Sequence, residues 1–182
     1  TFRSNSSLPA TSASNFQQIL VPGTGTATHC SGDEGEADLD LEWSEGVAKN
    51  ATIVYVYAGL GTGTTCSNRT SNVFDALKYA ITHTPVLAPI ISISYGNCEA
   101  NLGKSFILTL QQWAQEANAQ GQTISGPSGD QGAADCESAT ATTATHGLAV
   151  DVLASIPEVT GVGGSEFTGD SSQCPNNSCP TG

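Results

Sequence analysis

Seven acids crowd one short segment: Asp33, Glu34, Glu36, Asp38, Asp40, Glu42 and Glu45. Acid runs are usually solvated helix faces, so spacing must decide which of these could do chemistry. At about 100° per residue, Glu36, Asp40, Trp43 and Val47 share a narrow sector, with Leu39 beside it. Glu34, Asp38, Glu42 and Glu45 fall on the opposite side, where water would hold them. The first sector reads as a buried face. Two carboxylates one turn apart there repel when both ionise, and burial raises both pKa values. The stable compromise is one shared proton, with one group left as a base of raised pKa. Two other outcomes stay open: a calcium site, or a helix that ends early and leaves both acids in water.

A second chemical feature is Ser-Gly-Asp-Gln-Gly-Ala, Ser128 to Ala133. It puts Asp130 in a glycine-flanked loop, where a carboxylate is costly unless solvated, bound to a cation or protonated for a task. As a turn or calcium residue Asp130 would be ordinary. A phosphate cradle is disfavoured, because no Lys follows and an acid repels phosphate. As a protonated acid, Asp130 could donate a hydrogen bond to a developing oxyanion. Ser128 does not make a nucleophile elbow, which would need Gly at position 130. A hydrolase pairing Ser128 with His146 or His83 is a separate alternative.

These groups need elements to hold them. Asp33 to Glu45 reads as a helix and Thr52 to Tyr57 as a strand. Asn72 to Ile81 has Phe74, Leu77 and Ile81 at helical spacing. Pro89 to Ser94 is a strand. Lys104 to Ala119 is a helix with Phe106, Leu110, Trp113 and Ala117 on one face. Gln122 to Gly126 is a strand leading into the Asp130 loop. His146 to Leu153 reads as helical, and Glu158 to Val162 as a further strand. Upstream, Ile19 to Val21 could be a short strand within a polar lead-in of 32 residues; positions 165–182 read as loop. Alternating strands and helices imply a parallel sheet with helices on both faces. Sites in such sheets lie beyond the carboxyl ends of the strands, where Ser94-Tyr95-Gly96 and Ser128-Gly129-Asp130 both sit.

The whole chain narrows the partners. Its 182 residues suit one domain with a sizeable core. Seventeen acids against five bases give a net charge of −12. That argues against nucleic acid, whose phosphates need Lys and Arg, and against an anionic membrane surface. It suits a protein working in acid, where protonated carboxylates repel less. Six cysteines show no metal-ligand spacing with His29, His83 or His146; an even count favours disulfides and an oxidising compartment.

Four segments together resemble the sedolisins, the serine-carboxyl peptidases. Gly35 to Trp43 is similar to their E-x-x-LD helix, and Ile91 to Gly96 to their substrate-strand segment. Ser128 to Ala133 is similar to their oxyanion-loop motif, and Val150 to Pro157 through Gly163-Gly164 to their VDxPAsxP…VGG stretch. Their order and spacing agree from Gly35 to Gly164. The resemblance implies a subtilisin-like α/β fold and a secreted, extracellular serine-type endopeptidase acting on polypeptides at acidic pH. It implies Glu36 as general base, Asp40 as the acid that orients and charges it, and Asp130 as protonated oxyanion donor. A carboxylate base suits acid because its pKa lies nearer the working pH than that of His. Ser94, Tyr95 and Gly96 would offer backbone to an extended substrate as an added strand, and Asp151 would reach the primary specificity pocket. Cys98 and Cys136, at neighbouring strand ends, are expected to form a disulfide.

Departures set further expectations. Leu153 stands where the family has Pro. The family's nucleophile lies in a G-T-S-x-x-x-P motif, which these 182 residues lack. Its calcium ligands lie further downstream, so Ca2+ would belong to the intact domain, a monomer. The expectation is an incomplete, amino-terminal part of a peptidase catalytic domain spanning 1–182, inactive alone. The competing expectation is a non-catalytic, peptide-binding relic of the same fold.

Overall fold

Apolar strands alternating with amphipathic helices form, in a computed structural model, an α/β architecture with every ladder parallel. The structure describes residues 2–12, 14–61, 65–68 and 71–165; the expected carboxyl-terminal loop from 166 onward lies outside them. Strand β1 (Phe16–Leu20) pairs with β2 (Ile53–Tyr57), with Phe16 opposite Ile53 and Leu20 opposite Tyr57. Strands β3 (Ile90–Ser92), β4 (Thr123–Pro127) and β5 (Thr160–Val162) form a second ladder in that order. Among the described residues the strands thus pair as two ladders rather than one sheet.

A short helix, α1 (Phe2–Asn5), precedes β1. Helix α2 (Ser31–Val47) joins β1 to β2, and α3 (Val73–Thr82) joins β2 to β3. Helices α4 (Glu99–Leu102) and α5 (Lys104–Ala119) lead to β4. The start of α3 is fixed by a capping box. Asn72 accepts the Phe74 N–H at 2.8 Å, and Asp75 accepts the Asn72 N–H at 2.8 Å. Its apolar stripe then buries Ala76, Leu77, Ala80 and Ile81.

The core lies where α3 and α5 meet β4 and a 3-10 turn, Val152–Ser155. Ile81, Leu110, Ile124, Val152 and Leu153 are fully buried there, each worth roughly 1.5–3 kcal/mol of transfer free energy. Phe74, Phe106 and Trp113 extend it as edge-to-face contacts at 5.3 and 6.5 Å. This core anchors β3 and β4, whose carboxyl ends carry the candidate loops.

The helix expected over His146 to Leu153 does not form. Its apolar spacing serves an extended run instead. Ala149 donates to the Ala133 carbonyl, Asp151 to Ser128 and Val152 to Asn97. Bonds to two other segments outcompete a local helix, and only Val152–Ser155 turns helically.

Candidate active site

Helix α2 runs unbroken past Gly46, so it does not end early. Its burial differs from the sequence reading. Leu39, Trp43 and Val47 are 51, 70 and 83 % exposed, so the sector bearing Glu36 and Asp40 is not an apolar face turned inward. Glu45, expected in water, is buried and paired with Arg3, whose segment covers the other side of the helix. Glu34 and Asp38 are exposed as expected, with Glu34 2.8 Å from the His29 ring.

Shielding of Glu36 and Asp40 comes from other elements. The Ser94 hydroxyl donates to Asp40 Oδ1 at 2.5 Å, and the Tyr95 hydroxyl to Asp33 Oδ1 at 3.4 Å. Asp33, Glu36 and Asp40, at i, i+3 and i+7, therefore form one stripe facing the segment after β3. Asp33 was missed from sequence, although the same helical period reaches it. Burial pushes the Glu36 carboxyl above its ordinary value, and the charges of Asp40 and Asp130 push it the same way. Tyr95 is pushed up to about 12, by burial first and then by Asp33 and Glu36. On β2, burial also raises Tyr55, helped by Tyr57 and by Asp40.

The loop after β4 brings Asp130, an exposed side chain, into the field of Glu36. Its backbone is special at Gly129, where φ is +99° and a Cβ would lie 1.8 Å from Asp135 Oδ1. Only glycine meets both demands. Asp135 is thus packed behind the loop, which the sequence did not reveal.

Asp151 lies beneath the Tyr95-Gly96-Asn97 backbone, 6 % exposed, accepting the Asn97 N–H at 2.7 Å. Burial raises its carboxyl, against the lowering effect of that N–H, and Asp135 and Asp130 add to the rise. A Cβ on Gly96 would meet Asp151 Oδ1 at 1.8 Å, so glycine permits this approach. The Cys98–Cys136 disulfide forms as expected, with Cα atoms 5.0 Å apart. A second bond, Cys30–Cys66, anchors the start of α2. No histidine reaches Ser128 through the contacts they make: His83 lies on Tyr79 and Pro85, and His146 on Glu137.

Glu137, just past the disulfide, accepts the N–H groups of Thr145 and His146 and faces the His146 ring at 3.0 Å. These bonds lower its carboxyl to about 2, the Thr145 N–H contributing most. A depressed carboxyl stabilises the fold above its unfolded value of 4.5 and loses that contribution as pH falls toward 2. Urea melts of Glu137→Gln should therefore fall below those of the unaltered chain above pH 4.5 and converge with them near pH 2. A constant gap across that window would refute the bond pattern.

Parallel strands with intervening helices, a helix of acids beside the end of β3 and Asp130 beyond the end of β4 make this an α/β protein, and its match to a solved structure shows the fold to be subtilisin-like. The comparisons agree. The chain is 26 % identical over 172 residues to a probable tripeptidyl-peptidase SED2 of Arthroderma benhamiae, covering 88 % of this chain and 28 % of the relative. It is 29 % identical over 157 residues to kumamolisin of Bacillus sp. strain MN-32, covering 83 % and 26 %. Its fold matches Pseudomonas sedolisin, a serine-carboxyl proteinase solved with two molecules of pseudo-iodotyrostatin. The TM-score is 0.69 at 26 % identity, over 93 % of this chain and 45 % of that one. No protein-family model matches. Sequence and structure together support the sedolisin family for this chain, which spans about a quarter of the length of these curated relatives.

Proposed function

We propose that this chain is a segment of a secreted serine-carboxyl peptidase that cleaves polypeptides in acid. Glu36 takes the proton of the nucleophilic serine, Asp40 orients and charges Glu36, and Asp130 donates to the oxyanion from a neutral carboxyl. That serine is not among these 182 residues, since no G-T-S-x-x-x-P motif occurs in them. The observation that carries the reading is the field around Glu36. Burial, Asp40 and Asp130, the last from a separate element, all raise its carboxyl, as a base working in acid requires. Ser94, Tyr95 and Gly96 supply backbone for an extended substrate, and Asp151 beneath them reaches the specificity pocket. Secretion is supported by two disulfides and the acidic composition; among the described residues no helix is long and apolar enough to cross a membrane. The resemblance puts the calcium ligands of the intact domain outside this segment. Among the described residues no three His, Cys, Asp or Glu side chains are grouped to hold a metal.

The test is hydrolysis of a denatured protein by the complete polypeptide that contains this segment, followed from pH 2 to 8. Hydrolysis confined to the acid side is expected. Internal cleavage products would support an endopeptidase, tripeptides an exopeptidase. Peptide binding without cleavage would instead support the relic, and activity only near neutrality would exclude a carboxylate base.

A further inference from the structure

Asn-x-Ser/Thr triplets begin at Asn5, Asn50, Asn68 and Asn176, and none has a part in the catalytic reading. Such a triplet is the acceptor for N-linked carbohydrate. It also arises by chance in a chain rich in Ser, Thr and Asn, so the fold must choose among them. Asn176, and the last two residues of the Asn68 triplet, lie outside the described residues. Asn5 ends helix α1, which the Arg3–Glu45 pair pins to α2. Asn50 differs, because it stands in a turn.

That turn presents its side chain to water. Ala51 donates its N–H to the Ala48 carbonyl at 2.8 Å, closing a β-turn with Lys49 and Asn50 at the two central positions. Val47 through Thr52 are exposed without interruption. Among the described residues the Asn50 side chain makes no hydrogen bond. A sugar chain is bulky and hydrated, so the fold tolerates it only where the amide nitrogen meets solvent.

The place of the turn matters as much as its exposure. The Thr52 hydroxyl donates to the Ser14 carbonyl at 2.8 Å, and the Ile53 N–H to Asn15 at 2.9 Å. The turn therefore sits beside the start of β1, at the amino ends of the β1–β2 ladder. From Glu36 to Val47, just before the turn, α2 rises about 16 Å. Carbohydrate on Asn50 would hang clear of the candidate acids.

We propose that Asn50 carries an N-linked oligosaccharide. Its side-chain nitrogen bonds to the anomeric carbon of a lipid-linked oligosaccharide pyrophosphate. The anomeric carbon–oxygen bond breaks, the lipid pyrophosphate leaves, and the amide gives up one proton. The proposal rests on the reading of this polypeptide as secreted, because that donor is met on the secretory route.

The test takes the complete polypeptide from the medium and the lysate of the cells that make it naturally. Peptide-N-glycosidase in heavy-oxygen water, followed by peptide mass spectrometry, should turn residue 50 into labelled Asp. The intact mass should fall by that of the released sugar. Asn50→Gln should lack one such increment. Thr52→Ser, which keeps the acceptor hydroxyl, should retain it, and Thr52→Val should lose it. Protein in the medium with an unmodified Asn50 overturns the proposal and leaves secretion standing. Protein confined to the lysate with Asn50 bare overturns both. An increment that survives Thr52→Val and Asn50→Gln would place the sugar elsewhere and also overturn it.

Discussion

Replacing Glu36 by Gln in the complete polypeptide should lower kcat in acid by about a thousandfold, equivalent to about 4 kcal/mol of transition-state stabilisation. The size follows from the role. Gln keeps the shape of Glu but exchanges one acceptor oxygen for an N–H donor group and cannot take a proton, and members of a catalytic unit fail together. The electrostatics supply the control that separates lost chemistry from lost fold. Glu36 is raised from its ordinary value of 4.5, by burial first and then by Asp40 and Asp130. A raised carboxyl costs stability once pH climbs past its unfolded value, because the fold then disfavours the charge. Gln removes that cost. Glu36→Gln should therefore match the unaltered protein in urea melts at pH 3 and exceed it slightly at pH 7. A variant that is both inactive and less stable at pH 7 would point to misfolding. Activity within tenfold of the original at pH 3 would falsify the assignment of Glu36 as base.

The same residue illustrates how far sequence reasoning reached. Helical period put Glu36 and Asp40 together, and α2 holds them one turn apart as expected. Glu36 is raised by burial and by Asp40 as expected, but the burial does not come from apolar neighbours on its own helix. Leu39, Trp43 and Val47 are exposed, and Glu45 is the buried acid, because Arg3 covers that side from 42 residues upstream. A local hydrophobic pattern does not register a partner so distant in the chain. The shielding of the site arises instead from Ser94, Tyr95 and Tyr55, each on a different segment from α2. Asp33 was legible in principle, lying at the same period, whereas Asp135 was not, because its approach to Gly129 depends on how the loop folds back, and no local period encodes that. His146 to Leu153 misled for a related reason. Its apolar spacing fits a helix, but bonds to Ser128, Ala133 and Asn97 hold it extended. The elements and their order were thus written locally, while the environment of each acid was decided by contacts between distant segments.

Loss of the Cys98–Cys136 bond should be costly in a way that is localised to those contacts. It spans 38 residues, for which the loop-entropy estimate is about 4 kcal/mol, a large share of an ordinary domain's stability. Cys30–Cys66 spans 36 residues, so entropy alone predicts nearly the same cost for either. What differs is where the freedom returns. Cys98 directly follows the Ser94-to-Asn97 segment and bridges Asp151; Cys136 follows the Asp130 loop by six residues and adjoins Glu137. Opening that bond loosens both sides of the candidate site, whereas opening Cys30–Cys66 loosens the start of α2 beside Asp33. Double serine variants of each pair should therefore lose similar stability in urea melts. Amide exchange should rise around 96–98 and 128–137 in the first variant, and around 31–36 in the second. A loss below about 1 kcal/mol for the first pair would mean that the Asp151 and Glu137 hydrogen bonds already hold these loops, leaving the disulfide little unfolded-state freedom to remove. Equal exchange in both variants would mean that the site moves as one unit with α2, coupled through Ser94 and Asp40.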